Sequence, residues 1–315
     1  MTRLIKPRGM TRRHFMRHLA GASALAAPAV ALTNTLKAHA QELSRANKSC
    51  ILLWMGGGPP TIDIWDLKPG APTGGPFRPI ATSADVQVCE LFPQLAEHMH
   101  RLSLVRSMST SEADHDRGRY YMHTGYRPDR NIQHPSYGAV VAHELESQLP
   151  ELEIPPFVSI GGASEGPGFL GMAYAPFQVD SNGRVRNLGI DGIDDTRLRD
   201  RMKLLGALER RFIDQRRGSA AEEHAKVLTK TESLLTSKQM AAFRVRSEPE
   251  QFRERYGITS FGRGCLMARR LVETGVPFVE VNFGGWDLHD NCFTTLETKL
   301  PEMDQAMSAL IDDLA

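Results

Sequence analysis

Four short apolar runs constrain the fold of this chain most: "CILLWM" (50–55), "LSLVRSM" (102–108), "PPFVSI" (155–160) and "VPFVEVNF" (276–283). Each reads as a strand, and stretches with helical spacing fall between them. The first run lacks period-two alternation and stops at Gly56-Gly57-Gly58-Pro59-Pro60, which predicts a strand covered on both faces and then a sharp turn. Leu95, Met99 and Leu102 share a helical face, and "HDRGRYYMHTGYRP" (115–128) and "HPSYGAVVAHELESQ" (134–148) read as helices with Gly and Pro punctuation. "FGRGCLMARRLVETG" is a helix ended by Gly275, and Leu300, Met303, Met307, Leu310 and Leu314 define the apolar face of a last helix. Between about Asp194 and Tyr256, charged residues surround Leu198, Met202, Leu205, Leu208 and Phe212, the pattern of a helical insertion of two or three amphipathic helices with a solvated face. Strands alternating with helices predict an α/β fold, a mainly parallel sheet sandwiched by helices, with ligands at the carboxyl ends of the strands. The chain stops inside a helical pattern without Gly or Pro, so a further strand and loop are expected beyond it.

The net charge of +1 hides an asymmetry, because the first 40 residues carry seven Lys or Arg and no Asp or Glu. The remaining 31 basic and 37 acidic residues leave about −6, which argues against a nucleic-acid surface. Residues 1–40 read as an export signal. "TRRHFMR" pairs Arg12 with Arg13 and follows with Phe15 and Arg17, close to the twin-arginine pattern, and "HLAGASALAAPAVAL" is too short and too rich in Ala and Gly to span a bilayer stably. Ala38 and Ala40 flank a cleavage point, so the mature chain is expected to begin near Gln41, in the periplasm and without a stable transmembrane anchor. An uncleaved anchor is the rival. Since the twin-arginine route carries folded proteins, a metal loaded in the cytoplasm is compatible with it. Four cysteines without CxxC spacing support neither a zinc ribbon nor a disulfide scaffold, and Cys50 and Cys265 are expected to be buried free thiols.

Three polar clusters carry the candidate chemistry. Asp63, with Asp66 three residues on, leaves the end of the first strand, a position suited to a metal carboxylate and equally to an Asx turn or helix N-cap. The triple glycine fits neither GxGxxG nor the P-loop, and Pro59 and Pro60 remove two amide donors, so a nucleotide site is discounted. Asp114, His115, Asp116, Arg117 and Arg119 crowd a helix start, where His and Asp can bind a metal, Arg can hold an oxyanion, and a capped, salt-bridged helix start explains the same residues. In "GGWDLHDN", Asp287 and His289 stand two apart at the end of the last strand and on a turn can converge on one ion, while Trp286 reads as packing and Asn291 as a turn residue.

In order, the Arg-Arg leader, "LWMGGGPPTIDIWDLKPG", "RYYMHTGYRP", "HPSYGAVVAHEL", "GFLGMAYAPF" and "GGWDLHDN" closely resemble the exported bacterial family described as domain of unknown function 1501. That family is grouped with sulfatase-like proteins of the alkaline phosphatase superfamily, and the resemblance runs from the leader through Ala315. It implies an α/β sandwich whose strand ends hold one or two divalent metals (Zn, Mn or Ca) for hydrolysis of phosphate or sulfate esters. On this resemblance Asp63 matches the first-strand metal carboxylate, and Asp287 with His289 the later ligands. The segment ending in Thr124-Gly125 resembles the sulfatase signature C/S-x-P-S-R-x-x-x-x-T-G, which puts Arg119 on its arginine and His115 on its nucleophile position.

The chain departs from the pattern in three places. His115 cannot become formylglycine, and it stands as metal ligand, general base or phosphohistidine-forming nucleophile. Pro60-Thr61 replaces a Ser-His pair common in the family. The sequence also ends before the "EFGRTP"-like and "GRDHW"-like motifs, as a chain truncated at its C-terminus would. The expected function is an exported metal-dependent hydrolase acting on a small anionic ester, with His115 and Arg119 catalytic and Asp63, Asp287 and His289 on the metal. The rivals are an exported binding or assembly protein with a periplasmic protein partner, and a fragment of a longer active protein.

Overall fold

The computed structural model describes residues 48–184 and 237–315 and, between them, Asp200, Leu204 and Leu234. The expected signal at 1–40 and most of the expected insertion at 194–256 lie outside the described residues. Strands β1 (Cys50–Met55), β4 (Phe157–Ile160), β5 (Phe177–Val179) and β6 (Phe278–Phe283) form one parallel sheet in the order β1-β6-β4-β5. A two-residue antiparallel ladder, β2 (Pro79–Ile80) with β3 (Val88–Cys89), stands apart from it. The helices are α1 (Pro93–His98), α2 (His115–Thr124), α3 (Tyr137–Leu145), α4 (Glu250–Tyr256), α5 (Ser260–Glu273) and α6 (Cys292–Asp313). Among the described residues, no helix is long and apolar enough to cross a membrane.

Alternation along β6 assigns its two faces. Val279, Val281 and Phe283 join Val158 and Ile160 of β4 in the main core, with α1, α5 and α6 packed on that side. Gly264 lets α5 come close, since a Cβ there would lie 2.8 Å from Val281 Cγ1. Phe278, Glu280 and Asn282 point the other way, where Phe157 and Phe278 meet edge to face and α3 covers them through Ala139 and Ala142. Helices therefore cover both faces of a parallel sheet, as expected for an α/β sandwich.

Three expectations need correction. Among the described residues β1 is an edge strand, with Cys50 exposed and residues 51–55 half-buried, because an apolar run does not reveal how many strand neighbours it will find. "LSLVRSM" forms no strand: Leu102 and Leu104 rest on the core, Val105 and Met108 are exposed, and no ladder partner meets them among the described residues. Of the last helix's expected face, Leu300, Met303 and Leu310 are buried, whereas Met307 is half-buried and Leu314 exposed. Of the region to Tyr256, the described part contains helical Asp200, Leu204 and Leu234, then two short 3-10 turns, Lys238–Phe243 and Val245–Ser247, and then α4.

The long helix α6 also organises a distant element. Helix α1 begins at Phe92-Pro93 without a side-chain cap of its own, and the buried carboxylate of Asp304 on α6 accepts from Gln94 N at 3.0 Å and Leu95 N at 2.7 Å. A tertiary contact thus supplies what Ser or Asp at the N-cap normally supplies.

Candidate metal centre

Strands β1 and β6 are parallel neighbours, so their carboxyl ends release two loops side by side. Gly56 N donates to Phe283 O at 3.1 Å, and Trp286 N donates to Gly56 O at 3.0 Å. Gly57 has φ +114°, and a Cβ on it would lie 2.6 Å from Asp287 N and 3.0 Å from Trp286 N. The triple glycine is therefore a close backbone crossing between the two loops. Trp286 is fully buried below the crossing and meets Phe283 edge to face. Lys299 of α6 lies 4.9 Å over the Trp286 ring and donates from Nζ to Gly284 O at 2.7 Å. Burial holds the Lys299 pKa below the usual lysine range, with Glu302 opposing. With Trp286 anchored, Asp287 and His289 emerge at the surface above it.

Helix α2 brings the third group. Asp114 caps it by accepting from Arg117 N at 3.0 Å, and His115, its first residue, stands over the glycine loop with Cε1 4.0 Å from a Cβ placed on Gly58. His289 Nε2 lies 2.8 Å from Asp287 Oδ1, and His115 Nε2 lies 3.3 Å from Asp287 Oδ2. One ligand atom from each of the three residues falls within a mutual 4.8 Å. Their side chains are 61%, 48% and 80% exposed for His115, Asp287 and His289 respectively, which leaves the upper side open to a small molecule. Two imidazoles and one carboxylate with an open face make a donor set that suits a catalytic transition metal.

The other expected site residues are not part of this three-residue group. Asp63 is buried with φ +63°, and its Oδ1 accepts from Gly75 N at 3.2 Å. Its Oδ2 is buried with no hydrogen-bond partner among the described residues, and the three-residue group does not include Asp63. Asp66 is held below the usual carboxylate range by its hydrogen bond to Lys68. Arg119 Nε pairs with Glu165 at 2.9 Å, which ties α2 to the loop after β4. Trp286 packs and Asn291 turns, at φ +52° before α6, as expected from sequence.

Sequence reading missed the polar pair beneath the site. His123 on α2 and Glu280 on β6 are 3% and 1% exposed, with Nε2 3.4 Å from Oε1, an ion-pair distance. Burial is the largest influence on His123 and lowers its pKa, but Glu280, the Arg119 carbonyl and Glu165 more than reverse it, so the pKa stands above the ordinary histidine range. The signal was Glu280 itself, one carboxylate inside an otherwise apolar strand, since a buried Glu is rarely left unpaired.

No curated protein and no solved structure matches the chain. A family model does match, over residues 47–315, a span that begins just before β1 and includes every element described above. The chain belongs to the family described as protein of unknown function (DUF1501).

Proposed function

We propose that the protein is an exported metal-dependent hydrolase of phosphate or sulfate esters, with a divalent ion held by His115, Asp287 and His289. The observation that carries this reading is the convergence of those three ligand atoms within 4.8 Å at the carboxyl ends of two adjacent parallel strands, where α/β sheets place their ligands. Two nitrogen donors favour Zn or Mn over Ca, which takes oxygen ligands. A bound ion supplies Lewis acidity toward an ester oxygen or a water. Asp287 sets the spacing of the two imidazoles with its two oxygens, and the exposed rims of His115 and His289 leave room for a small anionic ester. Arg119 acts through Glu165, holding the helix that carries His115. The twin-arginine leader supports export in the folded, metal-loaded state.

The test is elemental analysis of the purified chain together with a panel of phosphate and sulfate monoesters. The expected result is about one Zn or Mn per chain and turnover of at least one ester class, both lost in the Asp287→Ala/His289→Ala double variant. A chain that folds, holds no metal after incubation with either ion and turns over no ester refutes the proposal.

A further inference from the structure

We propose that the buried His123–Glu280 pair is a positioning device that seats α2 on the sheet and so aligns His115 with Asp287 and His289, an inference that rests on the metal-centre reading above. Helix α2 has little apolar surface with which to seat itself. Of its ten residues only His123 and Thr124 are buried, and the Thr124 hydroxyl is used locally, donating to Tyr120 O at 2.8 Å. Its other ties are at the margins: Arg119 to Glu165 at 2.9 Å, Tyr120 Oη accepting from His134 N at 2.7 Å, and the exposed contact of His115 with Asp287 at 3.3 Å that the seating of α2 must align. Among the described residues, His123 is the one side chain of α2 whose ion pair is buried on both sides, and its ring centroid lies 3.9 Å from that of Trp54 on β1.

The geometry of the pair fixes where a proton must be. His123 Nδ1 lies 2.9 Å from Arg119 O, a carbonyl that can only accept, so Nδ1 carries a hydrogen. A neutral ring would then turn the Nε2 lone pair toward the Glu280 carboxylate, whereas a protonated ring makes the 3.4 Å contact an attractive ion pair, although the spacing and angle do not form a hydrogen bond. Glu280 is held in turn by two side chains, one of which is itself tied to β4. Its Oε2 accepts from Ser164 Oγ in the loop after β4, its Oε1 accepts from Asn282 Nδ2 at 3.3 Å, and the same Asn282 amide donates to Ser159 Oγ of β4 at 3.2 Å. The acceptor is thus held from the sheet side by contacts that do not involve α2.

The two elements that share this pair are the two that carry the metal-binding groups. Glu280 lies seven residues before Asp287 on β6, and His115 lies eight residues before His123 on α2. Eight residues of helix span about 12 Å, so a tilt of about 5° about His123 moves His115 by about 1 Å. A displacement of that size is enough to spoil a ligand set. Buried ion pairs contribute little net stability, and their best-attested use is to specify register.

The experiment compares the full chain with the variant His123→Leu/Glu280→Met, which removes both charges together, and with Glu280→Gln, whose amide oxygen still accepts from Ser164 while the charge is gone. Three quantities are read: zinc affinity by competition with a chromophoric chelator, hydrogen exchange of the α2 peptide, and the thermal midpoint. The expected result is a 10- to 100-fold loss of zinc affinity and faster exchange in α2. Exchange in β1, β6 and α5 stays unchanged, and the midpoint of the double variant moves by only a few degrees, whereas Glu280→Gln, which leaves His123 without its partner, lowers it further. If the double variant does not fold, Glu280→Gln carries the comparison. Parental zinc affinity and parental α2 exchange in a folded variant overturn the inference. A parent chain that binds no zinc refutes the metal reading alone; faster α2 exchange in the variants then still supports the positioning role, and unchanged exchange overturns it.

Discussion

Gly57 and Gly284 follow neighbouring parallel strands, yet replacement by Ala should separate them sharply. At Gly57 the new Cβ lies 2.6 Å from Asp287 N and 3.0 Å from Trp286 N, both backbone atoms, and φ is +114°. Holding an L side chain at that φ costs on the order of 1–3 kcal/mol. Forcing a methyl into a closed backbone contact costs about 1–3 kcal/mol more. Gly57→Ala is therefore expected to lose about 2–6 kcal/mol, a large share of the roughly 5–15 kcal/mol typical of a folded domain. Relief requires moving the Asp287 amide from 2.6 Å to an ordinary contact near 3.4 Å, a retreat of about 0.8 Å that carries a proposed metal ligand with it. Zinc affinity should fall about 10- to 100-fold, on the scale of other disturbances to a ligand's support. At Gly284 a Cβ meets nothing within 4 Å and φ lies outside the left-handed range, so Gly284→Ala should change stability by about 0.5 kcal/mol or less. Urea denaturation of both variants measures the first quantity and chelator competition the second. Equal midpoints and equal zinc affinities for the two variants would refute the reasoning that the loops cross at Gly57.

Other perturbations test the frame around the site. Asp304→Ala removes the carboxylate that caps α1 from α6, and should cost about 2–4 kcal/mol by denaturant unfolding; Asp304→Asn, which keeps one acceptor, should cost less. His123 has its pKa raised on folding, so its contribution to stability is complete below the unfolded value of about 6.5 and is lost as pH rises through the folded value. Unfolding free energy should accordingly carry a component that declines with pH above about 6.5, and His123→Gln should abolish that component. In thiol labelling read by peptide mass, exposed Cys50 should react in the native protein. Buried Cys265, and Cys89 with its thiol pushed up to about 11 by burial, should react only on unfolding.

Fold class and three of the four strands of the sheet were legible from local pattern, because unbroken apolar runs and 3.6-residue spacing record what each segment must bury. The sequence also singled out "GGWDLHDN", as polar residues at the end of a buried strand, and the start of α2, as a crowd of charges that a helix cap would equally explain. Asp287, His289 and His115 were all legible as candidates, though only resemblance joined them. Asp63 was equally legible; it is not part of the three-residue group, and one of its oxygens accepts from Gly75 while the other is enclosed. Tertiary structure alone decided that β1 is an edge strand among the described residues, that Gly57 crosses Asp287, that Asp304 caps a helix about 210 residues away in sequence, and that His123 meets Glu280. The physical reason is common to all four. Strand pairing, backbone crossing, remote capping and buried ion pairing are contacts between segments far apart in the chain, and neither partner's local pattern states which other segment will arrive.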